Sequence, residues 1–136
     1  MLVVEHFVAP SPVHGLGVFS KVFIPKGALV WRVHPIFDRE ISKDELTTLP
    51  PHVVQSVMTH AEYLPARDLF RLSADGAFFM NHSDAPNVVD AGDVMHAARD
   101  IAAGEELLCD YRSVRVVAFD PDEQTKTQQM AASGGA

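Results

Sequence analysis

The chain has 136 residues, 47% hydrophobic and 21% charged, with 11 basic and 18 acidic side chains for a formal charge of −7. That length suits one domain with its own core, and the acidic balance argues against the basic face of a nucleic-acid binder. It either serves solubility alone or suits a basic polypeptide partner, whose Lys- and Arg-rich segments an acidic surface attracts.

The single cysteine, Cys109, excludes internal disulfides and a cysteine-rich zinc cluster. No apolar run reaches membrane-spanning length and the N-terminus lacks a signal-peptide succession, so the expected setting is a reducing cytoplasm, or the nucleus in a eukaryote.

Leu2 to Val8 is rich in β-formers and alternates loosely, which predicts a first strand stopped by Pro10-Ser11-Pro12. Val13 to Phe23 reads as a turn around Gly15 and Gly17 followed by a short strand; glycine there tolerates positive φ and close approach to the backbone. After a turn at Pro25-Lys26-Gly27, Ala28 to Phe37 is expected as a strand with Leu29, Trp31 and Val33 on one face and His34 on the other, at the surface.

Ser42 and Glu45 form a capping box that opens a short helix ending before Pro50. Pro51 suits the first turn of a second helix, whose apolar Val53, Val54, Val57, Met58 and Ala61 recur at helical spacing. Leu69 to Leu72 is a strand, and Ala74 to Met80 turns at Asp75-Gly76. Asn87 to Asp90 and Val94 to Ala98 form a hairpin around Ala91-Gly92-Asp93. A turn at Asp100 to Gly104 precedes the strand Glu106 to Asp110, which delivers Tyr111. Val114 to Phe119 is apolar enough to pack back on the body, whereas the composition from Asp120 onward predicts a flexible tail over residues 120–136. No internal repeat is visible.

Two stretches carry the chemistry. Asn81-His82-Ser83-Asp84-Ala85-Pro86-Asn87 is a polar loop set on an apolar run, where a packed base fixes donors and acceptors that still face a ligand. Gly104-Glu105-Glu106-Leu107-Leu108-Cys109-Asp110-Tyr111 ends in a phenol.

Together they resemble the SET domain, the family of protein-lysine methyltransferases that use S-adenosylmethionine. His14-Gly15-Leu16-Gly17-Val18-Phe19-Ser20 stands where the family keeps its Gly-x-Gly-x-Phe segment, and Ile24-Pro25-Lys26-Gly27 follows at the usual distance. The resemblance runs from about residue 5 to Tyr111. It implies a mainly β fold of several small twisted sheets, a helical insert at about 42–64 and a C-terminal pseudoknot, all within a SET domain over residues 1–119. It also implies protein-lysine N-methyltransferase activity on a basic segment such as a histone-like tail. The alternatives are a non-catalytic peptide-binding module on the same fold and a metal-binding protein using the seven scattered histidines.

By the same resemblance, Tyr111 is catalytic, its hydroxyl facing the transferring methyl and orienting the amine. Asn81 and His82 hold the methionine and adenine portions of the cofactor, and His14, Gly15, Leu16 and Gly17 offer backbone contacts to it. Tyr63 is either a second aromatic lining the cofactor site or channel, or a core residue at a helix end. Phe79 belongs to the substrate channel or, with Phe78, to the core. Phe119 either covers the channel mouth or simply packs.

Two departures matter. Asp84 replaces a frequent cysteine, and the three cysteines that complete a zinc site after the tyrosine are missing, so no zinc is expected. The channel then needs another wall, from Val114 to Phe119 or from a second subunit, and the latter implies a homodimer.

The chemistry is a direct displacement, in which the protein aligns donor and acceptor and excludes water without a nucleophile of its own. A lysine must first lose its proton, at a cost of about 4 to 5 kcal/mol at neutral pH. A dry channel and an adjacent sulfonium lower that cost.

Overall fold

A computed structural model describes residues 1–119; the predicted tail over 120–136 lies outside the described residues. Short strands form four small sheets: β1 (His6–Pro10) with β2 (Leu16–Ser20), β3 (Leu29–Arg32) with β9 (Val94–Ala97) and β8 (Val88–Asp90), β4 (Asp38–Ser42) with β6 (Leu69–Ser73) and β5 (Glu62–Leu64), and β7 (Asn81–His82) with β10 (Leu108–Cys109). The β7–β10 pair is parallel and the others are antiparallel. Helices α1 (Lys43–Leu46) and α2 (Pro51–His60) lie between β4 and β5.

The insert follows its local signals. Ser42 Oγ accepts from the Glu45 N–H and Glu45 Oε1 accepts from the Ser42 N–H, both at 3.1 Å, so the capping box satisfies two donors that a helix start leaves open. Pro51 begins α2, where its missing N–H costs nothing. The Ala91-Gly92-Asp93 turn closes with Ala91 N–H on the Val94 carbonyl at 2.9 Å, with Gly92 at φ 91°.

Elsewhere pairing moved the expected boundaries. The first strand begins at His6 instead of Leu2, because β2 sets its register from His6↔Ser20 to Pro10↔Leu16, while Leu2 makes an isolated bridge to Trp31. β3 is shorter than Ala28–Phe37, and a register shift between Leu29 and Trp31 turns consecutive Val30 and Trp31 both inward. The even alternation expected there is thereby lost. β4 and β5 were not anticipated: the strand pattern of Asp38–Ser42 emerges only when β6 supplies a partner, and Glu62–Leu64 fell within the expected helical insert.

One core cluster, including Val18, Ile24, Val30, Leu107 and Ile101, lies between the β1–β2, β3–β9–β8 and β7–β10 sheets. A second, of Leu46, Val57, Ala61 and Phe70, seats the two helices on β6. Residues 104–109 run between β2 and the 81–87 loop, bonded to both: Leu107 N–H donates to the Val18 carbonyl at 2.8 Å, and Leu108 N–H to Asn87 Oδ1 at 2.8 Å. Among the described residues no helix is long and apolar enough to cross a membrane.

Candidate active site

The parallel β7–β10 pairing sets Leu108 against Asn81 and Cys109 against His82, which brings the two motif segments side by side. Asn81 is 7% exposed, and its Nδ2 donates to the carbonyls of His14 and Leu16 at 2.9 and 3.1 Å and to Glu106 Oε2 at 3.0 Å. Three acceptors around one nitrogen settle the orientation of the amide. The Gly15–Gly17 turn, residue 81 and residue 106 thus form one cluster.

Glu106 was not singled out from sequence, yet it holds this cluster together. Its carboxylate also accepts from Ser11 Oγ at 2.7 and 2.9 Å. A Cβ on Gly17 would stand 2.5 Å from Glu106 Oε2, so what approaches the backbone there is this side chain. Gly15, at φ 45° with no atom within 4 Å of a notional Cβ, leaves its side of the turn open.

His82 is also turned inward. Its Nδ1 accepts the Tyr111 N–H at 3.1 Å, so Nε2 carries the proton and donates to Asp84 Oδ1 at 2.9 Å. Asp84 in turn meets Arg112. Its bond from His82, together with Arg112, holds its carboxyl below the usual range. The carboxylate that replaces the family's cysteine therefore links His82 to the residue after Tyr111. The imidazole fastens this loop to the backbone of Tyr111.

Tyr111 donates its hydroxyl proton to the Met80 carbonyl at 2.5 Å. Burial, with Cys109 and Glu106 nearby, raises the phenol well above its ordinary range, so it stays neutral at any working pH. Tyr111, Met80 and Cys109 line a cavity of about 70 Å³ whose other walls include Trp31, Phe78, Met95, Val114 and Val116. Val114 and Val116 supply from this chain the wall for which a second subunit was one candidate. Trp31 and the Met80 carbonyl were not named as site residues from sequence. An inward aromatic in β3 was the available signal for Trp31, whereas a carbonyl has none.

Three expected aromatics lie elsewhere. Tyr63 does not line the cavity: β5 is a strand, so its neighbour Glu62 faces in, while Tyr63 packs on Phe70 at 5.2 Å and donates to Asp68 Oδ1 at 2.5 Å. Phe78, read mainly as core, lines the cavity and stacks on His60 at 4.1 Å; Phe79 meets it edge-on at 5.2 Å outside the lining, because a 3-10 helix over Gly76–Phe79 fans the two rings apart. Phe119 packs on His82 at 4.5 Å and on Tyr111 at 5.3 Å, also outside the lining. Among the described residues no group of three or more His, Cys, Asp or Glu is arranged to hold a metal ion.

Cys109 gives a direct check on burial. It is 4% exposed, and desolvation, then Asp110 and other carboxylates, push its thiol from 9.0 up to about 12. Folded protein is expected to resist a chromogenic disulfide reagent at pH 8 and to release one equivalent once unfolded in guanidinium. Because the folded pKa is the higher, this residue's contribution to stability is complete below pH 9.0 and declines as pH rises toward about 12.

A search of curated proteins found no match. Among solved structures the chain resembles a Plasmodium falciparum protein assigned by its description to the histone methyltransferases, with TM-score 0.61, 21% identity, and coverage of 79% of this chain and 93% of that one. At that identity the likeness establishes the fold: small twisted β-sheets with a short helical insert. The family profile described as SET domain matches residues 15–112, which include Gly15, Gly17, Asn81, His82, Glu106 and Tyr111. The chain belongs to the SET-domain family.

Proposed function

We propose that the protein is an S-adenosylmethionine-dependent protein-lysine N-methyltransferase acting on a basic protein segment, with histone-like tails among the candidates. One observation carries this: Met80 and Asn81, adjacent in the chain, face opposite ways. Met80 lines the cavity with Tyr111, and Asn81 turns to the His14–Gly17 turn. A displacement needs donor and acceptor to approach the transferred carbon in line from opposite sides, and a cavity on the Met80 side with the polar Asn81 cluster on the other suits that demand.

The residues fit the cofactor, which when bound supplies a methyl group activated on a cationic sulfur. Asn81 Oδ1 accepts no hydrogen bond among the described residues and is free to take one from an ammonium. The Glu106 carboxylate beside it favours a positively charged ligand, and the open side of Gly15 exposes loop backbone. On the other face, the Tyr111 phenol has committed its proton to Met80, which leaves its lone pairs to accept an amine N–H and aim the nitrogen. As a neutral phenol it orients and does not act as a base. Trp31, Phe78, Met80 and Met95 offer apolar surface to the lysine stem.

Incubation with isotope-labelled cofactor and core histones, ribosomal proteins or the protein itself is expected to place label on lysine, with stoichiometric cofactor binding by calorimetry. Absence of cofactor binding would sink the proposal. Binding without transfer to any lysine would point to the non-catalytic module.

A further inference from the structure

One wall of the Tyr111 cavity is charged. Glu62 in β5 and Arg71 in β6 are register partners, and both line the cavity. The Arg71 side chain is 1% exposed and sits over the Trp31 ring at 5.9 Å. Its Nη1 donates to Glu62 Oε1 at 2.8 Å and its Nη2 to Asp93 Oδ1 at 2.9 Å, with Glu40 Oε1 at 3.5 Å from Nη2. Nε is buried without a partner. Arg67 also holds Glu40, at 2.8 and 2.9 Å, so two guanidiniums face three carboxylates and the cluster keeps a net charge of −1 (two positive, three negative).

Glu62 uses one oxygen on Arg71; Oε2 accepts no hydrogen bond among the described residues. Such a carboxylate is aimed by one bond and still able to receive another. Around it stand Trp31, Phe78, Met80 and Met95, which suit an aliphatic stem. Apolar side chains and an oriented carboxylate bordering one cavity match an alkylammonium chain, with methylenes against the rings and its head on the acid. Burial raises the Glu62 carboxyl and Arg71 opposes that shift, so a bound cation would further favour the ionised form.

We infer that Glu62, positioned by Arg71, is the receptor for the cationic head of the side chain that enters the cavity, and so selects a lysine-type chain over a neutral one of the same length. This rests on the Tyr111 cavity being the acceptor side of the transfer.

Trp31 is the chain's one tryptophan and lines the cavity, so the emission of the full-length protein reports occupancy without any turnover. Titrations with n-butylammonium chloride, n-butanol and sodium butyrate at matched ionic strength are expected to give a saturable change with the ammonium at least about tenfold tighter than with the alcohol, and none with butyrate. Glu62→Gln should weaken butylammonium by about tenfold or more while leaving butanol unchanged. Should that variant fail to fold, the three-probe comparison on the unmutated protein decides. Equal affinity for alcohol and ammonium, a preference for butyrate (which would make the open Nε of Arg71 the receptor), no saturable change with butylammonium, or a folded Glu62→Gln variant that keeps its ammonium affinity would each overturn the assignment. Calorimetry with S-adenosylmethionine on the same samples separates the two proposals: lost cofactor binding refutes the methyltransferase, while a charge-selective Trp31 response still supports the receptor.

Discussion

Tyr111→Phe is expected to lower methyl transfer by about tenfold or more, about 1.4 kcal/mol of barrier, with cofactor affinity kept within about twofold. The substitution deletes only the oxygen that bonds the Met80 carbonyl. The ring keeps its contacts with His82 and Phe119, and the backbone N–H keeps its bond to His82 Nδ1, so the β7–β10 junction should persist. What disappears is the acceptor that aims the amine. The effect should therefore fall on kcat at saturating cofactor, while the unpaired Met80 carbonyl limits the stability loss to about 1 kcal/mol. A variant with full kcat would remove the phenol from the chemistry, and one that no longer binds cofactor would make Tyr111 a structural residue of the junction.

Asn87→Ala is expected to cost about 2 to 4 kcal/mol of folding stability, from two buried backbone groups left unpaired at about 1 to 3 kcal/mol each, partly relaxed. Asn87 is 1% exposed. Its Nδ2 donates to the Glu106 carbonyl and its Oδ1 accepts the Leu108 N–H, both at 2.8 Å, so one amide serves alternate backbone groups of the crossing segment. Alanine satisfies neither group, and water cannot readily replace it beside Leu107, which is fully buried. Urea unfolding should show a lower midpoint at an unchanged slope. A loss below about 0.5 kcal/mol would mean that the bonds from residues 105 and 107 to β2 hold the segment unaided. Because that segment leads to Tyr111, the variant should also lose activity, whereas Tyr111→Phe should lose the smaller share of stability, with one backbone group unpaired instead of two. The contrast separates the residue that builds the site from the one that acts in it.

The motif residues were legible to different depths. Tyr111 and Asn81 were visible in their loops, and the structure joins both to the expected neighbours. The protein contacts of His82 and Gly17 were not: the imidazole joins Asp84 in its own loop to the Tyr111 N–H, and Gly17 makes room for Glu106. Glu105 and Glu106 look alike in sequence, yet the first reaches Arg99 and the Ala102 N–H, while the second reaches Ser11 and Asn81. Only strand alternation against β2 separates them. Tyr63 illustrates the same limit, since once residues 62–64 pair as a strand, the acid and not the ring lines the cavity.

What the sequence by itself determined was whatever is decided within a few residues: the capping box at Ser42, the proline start of α2, the Gly92 turn and the identity of the two motif loops. Their hydrogen bonds close locally, so no distant partner is needed to see them. Only the tertiary structure decided that Glu106 locks the glycine turn to Asn81, that Asn87 clamps the crossing segment, and that Glu62, Arg71 and Trp31 wall the cavity. Those outcomes turn on which strand lies alongside which and in what register. In strands of two to five residues, a slip of one position exchanges the buried and exposed faces.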